Sequence, residues 1–156
     1  MGRRENLSQA IEDYLKAIYE IASTDGRATT QRIAAHLRVT PASVTGMIKK
    51  LAATDPPLVD YRKHRGVVLT GAGERVALEI LRHHKLIELF LHQLLGYDLA
   101  NVHAEADRLE HVISEEFEER ISIALGDPER GPHGDPIPAR DVEAPEGPSF
   151  PPGPIY

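Results

Sequence analysis

The punctuation of the first seventy residues constrains this chain most. Thr24-Asp25-Gly26, Arg38-Val39-Thr40-Pro41, Asp55-Pro56-Pro57 and Arg62-Lys63-His64-Arg65 divide them into short segments. Residues 5–23 place Leu7, Ile11, Tyr14, Leu15, Ile18, Tyr19 and Ala22 at helical i, i+3, i+4 spacing, which predicts a first helix. Thr29 and Thr30 are capping residues for a short second helix, Gln31 to Leu37, with Ile33, Ala34 and Leu37 inward. Thr40 is a good N-cap and Pro41 suits a first helical position, so a third helix runs to about Ala53 on Val44, Ile48 and Leu51. After the Pro56-Pro57 stop, Leu58–Tyr61 and Gly66–Leu69 read as two strands with a basic hairpin tip. Three helices and a hairpin in this order, with a tight turn between the second and third helices, describe a winged helix-turn-helix.

From Thr70-Gly71-Ala72-Gly73 a long helix reaches about Leu95. Its apolar residues, Val76, Leu78, Ile80, Leu81, Leu86, Ile87, Leu89, Phe90, Leu91 and Leu94 among them, surround most of its circumference. Such a helix must be covered on several sides, and in a module this small a subunit interface is the expected cover. Gly96-Tyr97-Asp98 breaks it. Another helix follows, and Ser114 with Glu115 and Glu116 marks the N-cap of a last short helix to Leu125. The expected fold is mainly α: a winged helix-turn-helix domain over 1–73, then an all-helical metal-binding and dimerisation domain over 74–126. Residues 127–156 form a tail or linker, because nine of the twelve prolines and five of the twelve glycines lie from Gly126 onward.

Between Gly96 and Ser114 lies a stripe, His103-x3-Asp107-x2-Glu110-His111. At roughly 100° per residue these four fall on one helical face within about 100° of arc. Val102, Ala106, Leu109 and Ile113 occupy a neighbouring face, so the helix can pack and still present the stripe. Two imidazoles and two carboxylates converging on one side suit a divalent first-row transition metal; a solvated acidic face is the bland alternative.

Composition narrows the class. The net charge of −6 hides an asymmetry: residues 1–73 carry eleven Lys/Arg against seven Asp/Glu, residues 74–156 seven against seventeen. A basic front and an acidic back fit a nucleic-acid module joined to one that handles cations or partners. The absence of cysteine excludes disulfides, thiolate zinc sites and Cys nucleophiles. No apolar run is long enough to span a bilayer, and Met-Gly-Arg-Arg-Glu-Asn lacks a signal peptide's apolar stretch, so a cytoplasmic protein without membrane partners is expected.

Ile11-Glu-Asp-Tyr-Leu-Lys-Ala-Ile-Tyr-Glu20, Arg65-Gly-Val-Val-Leu-Thr-Gly71, Arg82-His-His-Lys-Leu-Ile-Glu-Leu-Phe-Leu91 with the stripe, and Pro132-His-Gly-Asp-Pro-Ile-Pro138 together resemble the diphtheria-toxin-repressor family of iron- and manganese-dependent regulators. The resemblance covers about residues 5–138. It implies a main metal site of Asp13, Asp107, Glu110 and His111, joining the first helix to the dimerisation domain, and a second site of His84, Glu88 and His103. His83, His92 and His64 are read as surface or satisfied histidines. Iron-type members carry sulfur ligands where this chain has Asp13 and Asp107, and carboxylates favour the harder Mn²⁺. Mn²⁺ is therefore the expected ion, with Fe²⁺ as competitor and other divalent transition metals binding in vitro. Manganese-type members put a second carboxylate one turn after the first-helix Asp; here Lys16 stands there, which argues against a closely spaced two-metal cluster. Iron-type members also have a third, SH3-like domain, which this sequence does not include.

For DNA, the exposed start of the third helix offers Ala42, Ser43, Thr45 and Gly46 after Pro41, small residues that fit methyl contacts and shape readout. Thr40, Lys49, Lys50, Arg62, Lys63 and Arg65 are the expected phosphate contacts. The reading is a homodimeric, metal-activated repressor of double-stranded operator DNA, with metal-uptake genes as targets by resemblance. A winged-helix regulator that ignores metal is the alternative, followed by a metalloenzyme, for which no separate base or nucleophile is visible, and by an acidic protein-interaction module, which leaves the basic hairpin unexplained.

Overall fold

The computed structural model describes residues 7–140, which fall into two compact units that divide between Ala77 and Leu78. The first contains α1 (Gln9–Asp25), α2 (Thr30–Leu37), α3 (Pro41–Ala52), β1 (Val59–Arg62) and β2 (Gly66–Leu69). The long α4 (Gly71–Gln93) begins in the first unit and continues in the second, which also holds α5 (Leu99–Leu109) and α6 (Glu115–Ala124). The winged helix-turn-helix order is present as expected.

Local chemistry sets the helix starts. Ser8, Thr29, Thr40 and Ser114 each accept a hydrogen bond from the backbone N–H three residues on, satisfying a donor the first helical turn leaves unpaired. Pro41 stands at the first position of α3. Gly26 closes α1 at φ +85°, and Arg38 takes a left-handed conformation at the end of α2.

In the first unit Leu15, Ile18, Ile33, Val44, Leu51 and Val67 form a dry core joined by Ala72 and Val76 of α4. β1 and β2 pair antiparallel, Val59 opposite Leu69 and Arg62 opposite Gly66. A feature not expected from sequence is a bridge between the wing and the segment before α2. Ala28 and Val67 exchange both backbone hydrogen bonds at 2.8 Å, and Arg27 donates to the carbonyls of Arg65 and Gly66. Gly66, at φ +85°, is required there: a Cβ would lie 2.7 Å from the Ala28 carbonyl oxygen.

In the second unit α4 is covered on two sides. Leu86 and Leu89 pack with Ile121 and Ile137, while Ile87 and Leu91 pack with Val102 and Ala106; Phe90 touches both groups. Residues 126–140 are held against these helices. Ile137 enters the core, Arg82 donates to the Pro138 carbonyl, Lys85 pairs with Asp135, and Gly131 N–H donates to the Asp135 carbonyl. The prolines and glycines that mark this segment as tail-like therefore build a turn that rests on a neighbour's core. The tail beyond Arg140 lies outside the described residues.

Candidate metal centre and nucleic-acid face

The stripe straddles a helix end. His103 and Asp107 stand on α5; Glu110 caps it with φ −58° and ψ −25°, and His111 follows in the turn. The four-residue helical face expected from spacing is thus two helical residues and two turn residues. Opposite them, α4 presents His84 and Glu88 one turn apart.

These elements bring His84, Glu88, His103, Asp107, Glu110 and His111 into one group of side chains. His84 Nε2 lies 3.1 Å from Glu88 Oε1 and 3.1 Å from His103 Nδ1, and the two imidazoles meet edge-on. His84 Nδ1 lies 2.5 Å from Glu110 Oε2 and 3.4 Å from Asp107 Oδ1. The other oxygen of Glu110 sits 3.3 Å from His111 Nε2. One ligand atom from each of His84, Glu88 and His103 falls within a 4.8 Å span, as does one from each of His84, Asp107 and Glu110. Asp13 is half-buried on α1 of the first unit.

The donors suit a divalent transition metal: imidazole nitrogens and carboxylate oxygens, no sulfur. Burial sharpens this. His84, Glu88 and Glu110 are at most 4 % exposed, and Glu88 Oε2 accepts no hydrogen bond among the described residues. A buried carboxylate oxygen in that position is strongly disfavoured unless a cation compensates it. Burial pushes the Glu88 carboxyl up; the hydrogen bond and charge of His84, with the charges of His103 and His133, outweigh it and hold the group below its ordinary value.

His133 is the residue that sequence reading missed. Its Nε2 comes to 3.7 Å from Glu88 Oε2, beside His103 Nδ1 at 3.8 Å. No spacing rule links it to α4; the turn of residues 126–140 delivers it. Glu118 was missed too. His83, read as a surface or satisfied histidine, is fully buried with Nε2 2.6 Å from Glu118 Oε2, and Arg82 donates to the other oxygen at 2.5 Å. Burial raises the Glu118 carboxyl, but the hydrogen bonds and charges of His83 and Arg82 prevail and hold it at about 2. His92 hydrogen-bonds the Tyr97 carbonyl near the surface, and His64 stands exposed at the wing tip with φ +63°.

The first unit supplies a charged outer surface. Pro41, Ala42, Ser43, Thr45, Gly46, Lys49 and Lys50 are all exposed on α3, as are Arg62, Lys63 and Arg65 on the wing. Two hydroxyls are partly committed. Thr40 caps α3 and lies 2.9 Å from the Ser43 hydroxyl, and Thr45 donates to the Pro41 carbonyl. Thr45 stays exposed with its hydroxyl proton committed to the helix backbone. Arg62 is shared with Asp60 at 3.7 Å.

Residues 6–67 match the pattern described as "iron dependent repressor, N-terminal DNA binding domain", and residues 70–139 match "iron dependent repressor, metal binding and dimerisation domain". An HTH-type transcriptional regulator of Methanocaldococcus jannaschii is 40% identical over 120 residues, 76% of this chain and 94% of its own length. The chain belongs to the iron-dependent repressor family. The diphtheria toxin repressor of Corynebacterium diphtheriae is 34% identical over 137 residues, 88% of this chain and 60% of that protein. A manganese-dependent transcriptional repressor solved in complex with manganese superposes with a TM-score of 0.76 at 40% identity, over 88% of this chain and 63% of that one. This chain thus spans about three fifths of those two longer relatives. The family consists of DNA-binding repressors, so the metalloenzyme alternative gives way. Among the described residues no helix is long and apolar enough to cross a membrane.

Proposed function

We propose that the protein is a cytoplasmic, homodimeric repressor that binds operator DNA when loaded with Mn²⁺, with Fe²⁺ as the competing ion and metal-uptake genes as its targets. The observation that carries this reading is the buried cluster of imidazoles and carboxylates around His84, in a family of metal-dependent repressors. His84, Glu88 and His103 are the ligands of one ion, and His133 is near enough to join them. Asp107, Glu110 and His111 belong to a second position, and Asp13 is assigned to it on the family resemblance alone. A bound divalent ion would supply the positive charge that these carboxylates lack and would favour the DNA-competent arrangement of the dimer.

All-oxygen and nitrogen ligation favours the hard Mn²⁺ over ions that seek sulfur, and the manganese repressor similar to this chain supports that choice. A dimer is supported by the exposed apolar side chains of the second unit, Leu94, Leu95, Tyr97, Leu99, Val112, Phe117 and Ile123. On the DNA side, Ala42, Ser43 and Thr45 after Pro41 are proposed to meet base edges, with Thr40, Lys49, Lys50, Arg62, Lys63 and Arg65 at phosphates.

Fluorescence anisotropy with DNA from upstream of a metal transporter, at fixed salt, tests the reading. Mn²⁺ is expected to tighten binding at least tenfold over the apo protein, about 1.4 kcal/mol of coupling. Equal affinity with and without saturating Mn²⁺ would refute it.

A further inference from the structure

We propose that Arg27 is a positioning residue for DNA binding, whose guanidinium fixes the backbone of the wing tip so that Arg65 reaches a phosphate already ordered. The inference rests on the reading above that Arg65 meets DNA, and it specifies what holds that residue in place. Arg27 follows Gly26, which ends α1, and is half-buried. Its Nε donates to the Arg65 carbonyl at 3.1 Å and its Nη2 to the Gly66 carbonyl at 3.4 Å. The next residue, Ala28, exchanges both backbone hydrogen bonds with Val67 at 2.8 Å.

Residues along an extended strand point their carbonyls to alternate sides, so one side chain does not ordinarily reach two in succession. At Gly66 the φ of +85° breaks the alternation, and one edge of the guanidinium takes both carbonyls. An arginine supplies two donors on one rigid edge, whereas a lysine ammonium carries the same charge without the fork. Arg65 also donates its N–H to the Arg62 carbonyl at 2.9 Å. Both backbone groups of Arg65 are therefore held while its side chain stays exposed.

Arg62, by contrast, shares its charge with Asp60 at 3.7 Å. A hairpin tip that had to be ordered on contact would subtract the cost of ordering from the affinity. Anchoring the tip beforehand, from a segment of the same unit, removes that cost. Two donors of Arg27 are committed to wing carbonyls, so this residue acts through Arg65 and is not a phosphate contact of its own.

Fluorescence anisotropy on duplex DNA from upstream of a metal transporter, with the Mn²⁺-loaded full chain over a series of salt concentrations, tests this. Arg65→Ala is expected to weaken binding and flatten the salt slope, because a phosphate contact is gone. Arg27→Ala is expected to weaken binding about three- to tenfold with the slope unchanged, because the contact survives and only its ordering cost has risen. In the Arg65→Ala background Arg27→Ala should add almost nothing, whereas combined with Lys50→Ala on α3 it should keep its full factor. Arg27→Lys should recover little of the loss. Deuterium exchange in Arg27→Ala should quicken at the Arg65 amide and keep its wild-type rate at the Ile48 amide of α3. A flatter slope for Arg27→Ala, factors that multiply with Arg65→Ala, full rescue by lysine, or equal acceleration at both amides would each overturn the proposal. If Arg65→Ala binds as tightly as wild type, the phosphate assignment of Arg65 falls and the positioning role falls with it. The same factors are expected without Mn²⁺ at lower salt, so a failure of the metal reading leaves this test standing.

Discussion

In residues 7–77 the side chains hidden from solvent are Leu15, Ile18, Ile33, Val44, Leu51 and Val67, with Glu12 the charged member. In residues 78–140 Leu86 and Ile87 share the interior with His83, His84, Glu88, Glu110 and Glu118, each 4 % exposed or less. The first unit also spends its cations outside, on α3 and the wing, where Arg62, Lys63 and Arg65 are exposed. Burying hydrocarbon needs no partner, and the first interior is built mostly of it. Burying carboxylates demands compensation by hydrogen bonds and opposite charge. Around Glu118 the compensation is internal, from Arg82 and His83. Around Glu88 it is partial, with one oxygen accepting no hydrogen bond among the described residues. The contrast separates a charge cluster that serves the fold from one with capacity left for an ion.

The largest effects should come from the two interiors and should differ in kind. Leu15→Ala, at a site with no solvent exposure, is expected to cost about 2–5 kcal/mol through cavity formation. Glu118→Ala leaves Arg82 and His83 without their carboxylate and is expected to cost about 3–5 kcal/mol. Only the second penalty should depend on pH. Glu118 is held at about 2 in the folded chain against an ordinary 4.5. Its contribution is therefore complete above about pH 4.5 and fades as pH falls toward 2. Urea unfolding followed by circular dichroism between pH 7 and pH 3 checks this. Parallel pH profiles for the two variants would erase the distinction between the interiors.

Next in size is Glu110→Gln, which keeps the shape of the side chain and removes its charge. The Mn²⁺ enhancement of operator affinity is expected to fall by about 10–100-fold, while apo binding stays near wild type. A matching loss in the apo protein would show that Glu110 supports the fold alone. Gly66→Ala tests a crowded joint of the first unit. A methyl group 2.7 Å from the Ala28 carbonyl at φ +85° should cost roughly 1–2 kcal/mol of stability. It should also weaken apo and Mn²⁺-loaded operator binding by equal factors, because the wing shifts whether or not metal is present.

The first unit was the more legible of the two in sequence, and for the same reason. Thr40-Pro41, Asp55-Pro56-Pro57 and the apolar spacing of α1 act locally, and each side chain does the job its neighbours in sequence imply. What escaped was the bridge from Ala28 to Val67, a backbone pairing with no side-chain signature. In the second unit the i, i+4 pair His84 and Glu88 and the stripe were visible. Helical spacing overran the end of α5, since Glu110 and His111 keep their direction although the helix stops at Leu109. His133 and Glu118 were out of reach of any periodicity, because tertiary packing brings them to α4 from distant segments. Pro/Gly-rich composition marks residues 126–140 as part of a tail or linker. It is silent on whether they rest against a neighbour, and Ile137 in the core shows that they do.

The smallest effect belongs to the exposed cations. Lys50, on the outer face of α3, is proposed to meet a phosphate, so Lys50→Ala should weaken binding by only a few-fold and equally for specific and unrelated DNA. Its signature is the salt dependence. Each phosphate contact contributes a slope of about −0.9 to log affinity against log salt, so the variant's slope should be shallower by about one unit. The ratio of Mn²⁺-loaded to apo affinity should be untouched, because this charge is spent at the surface and takes no part in the buried cluster. Anisotropy titrations at several salt concentrations, with and without Mn²⁺, measure both quantities. A changed metal ratio with an unchanged slope would place Lys50 in the regulatory machinery and blur the division between a unit that displays its charges and one that buries them.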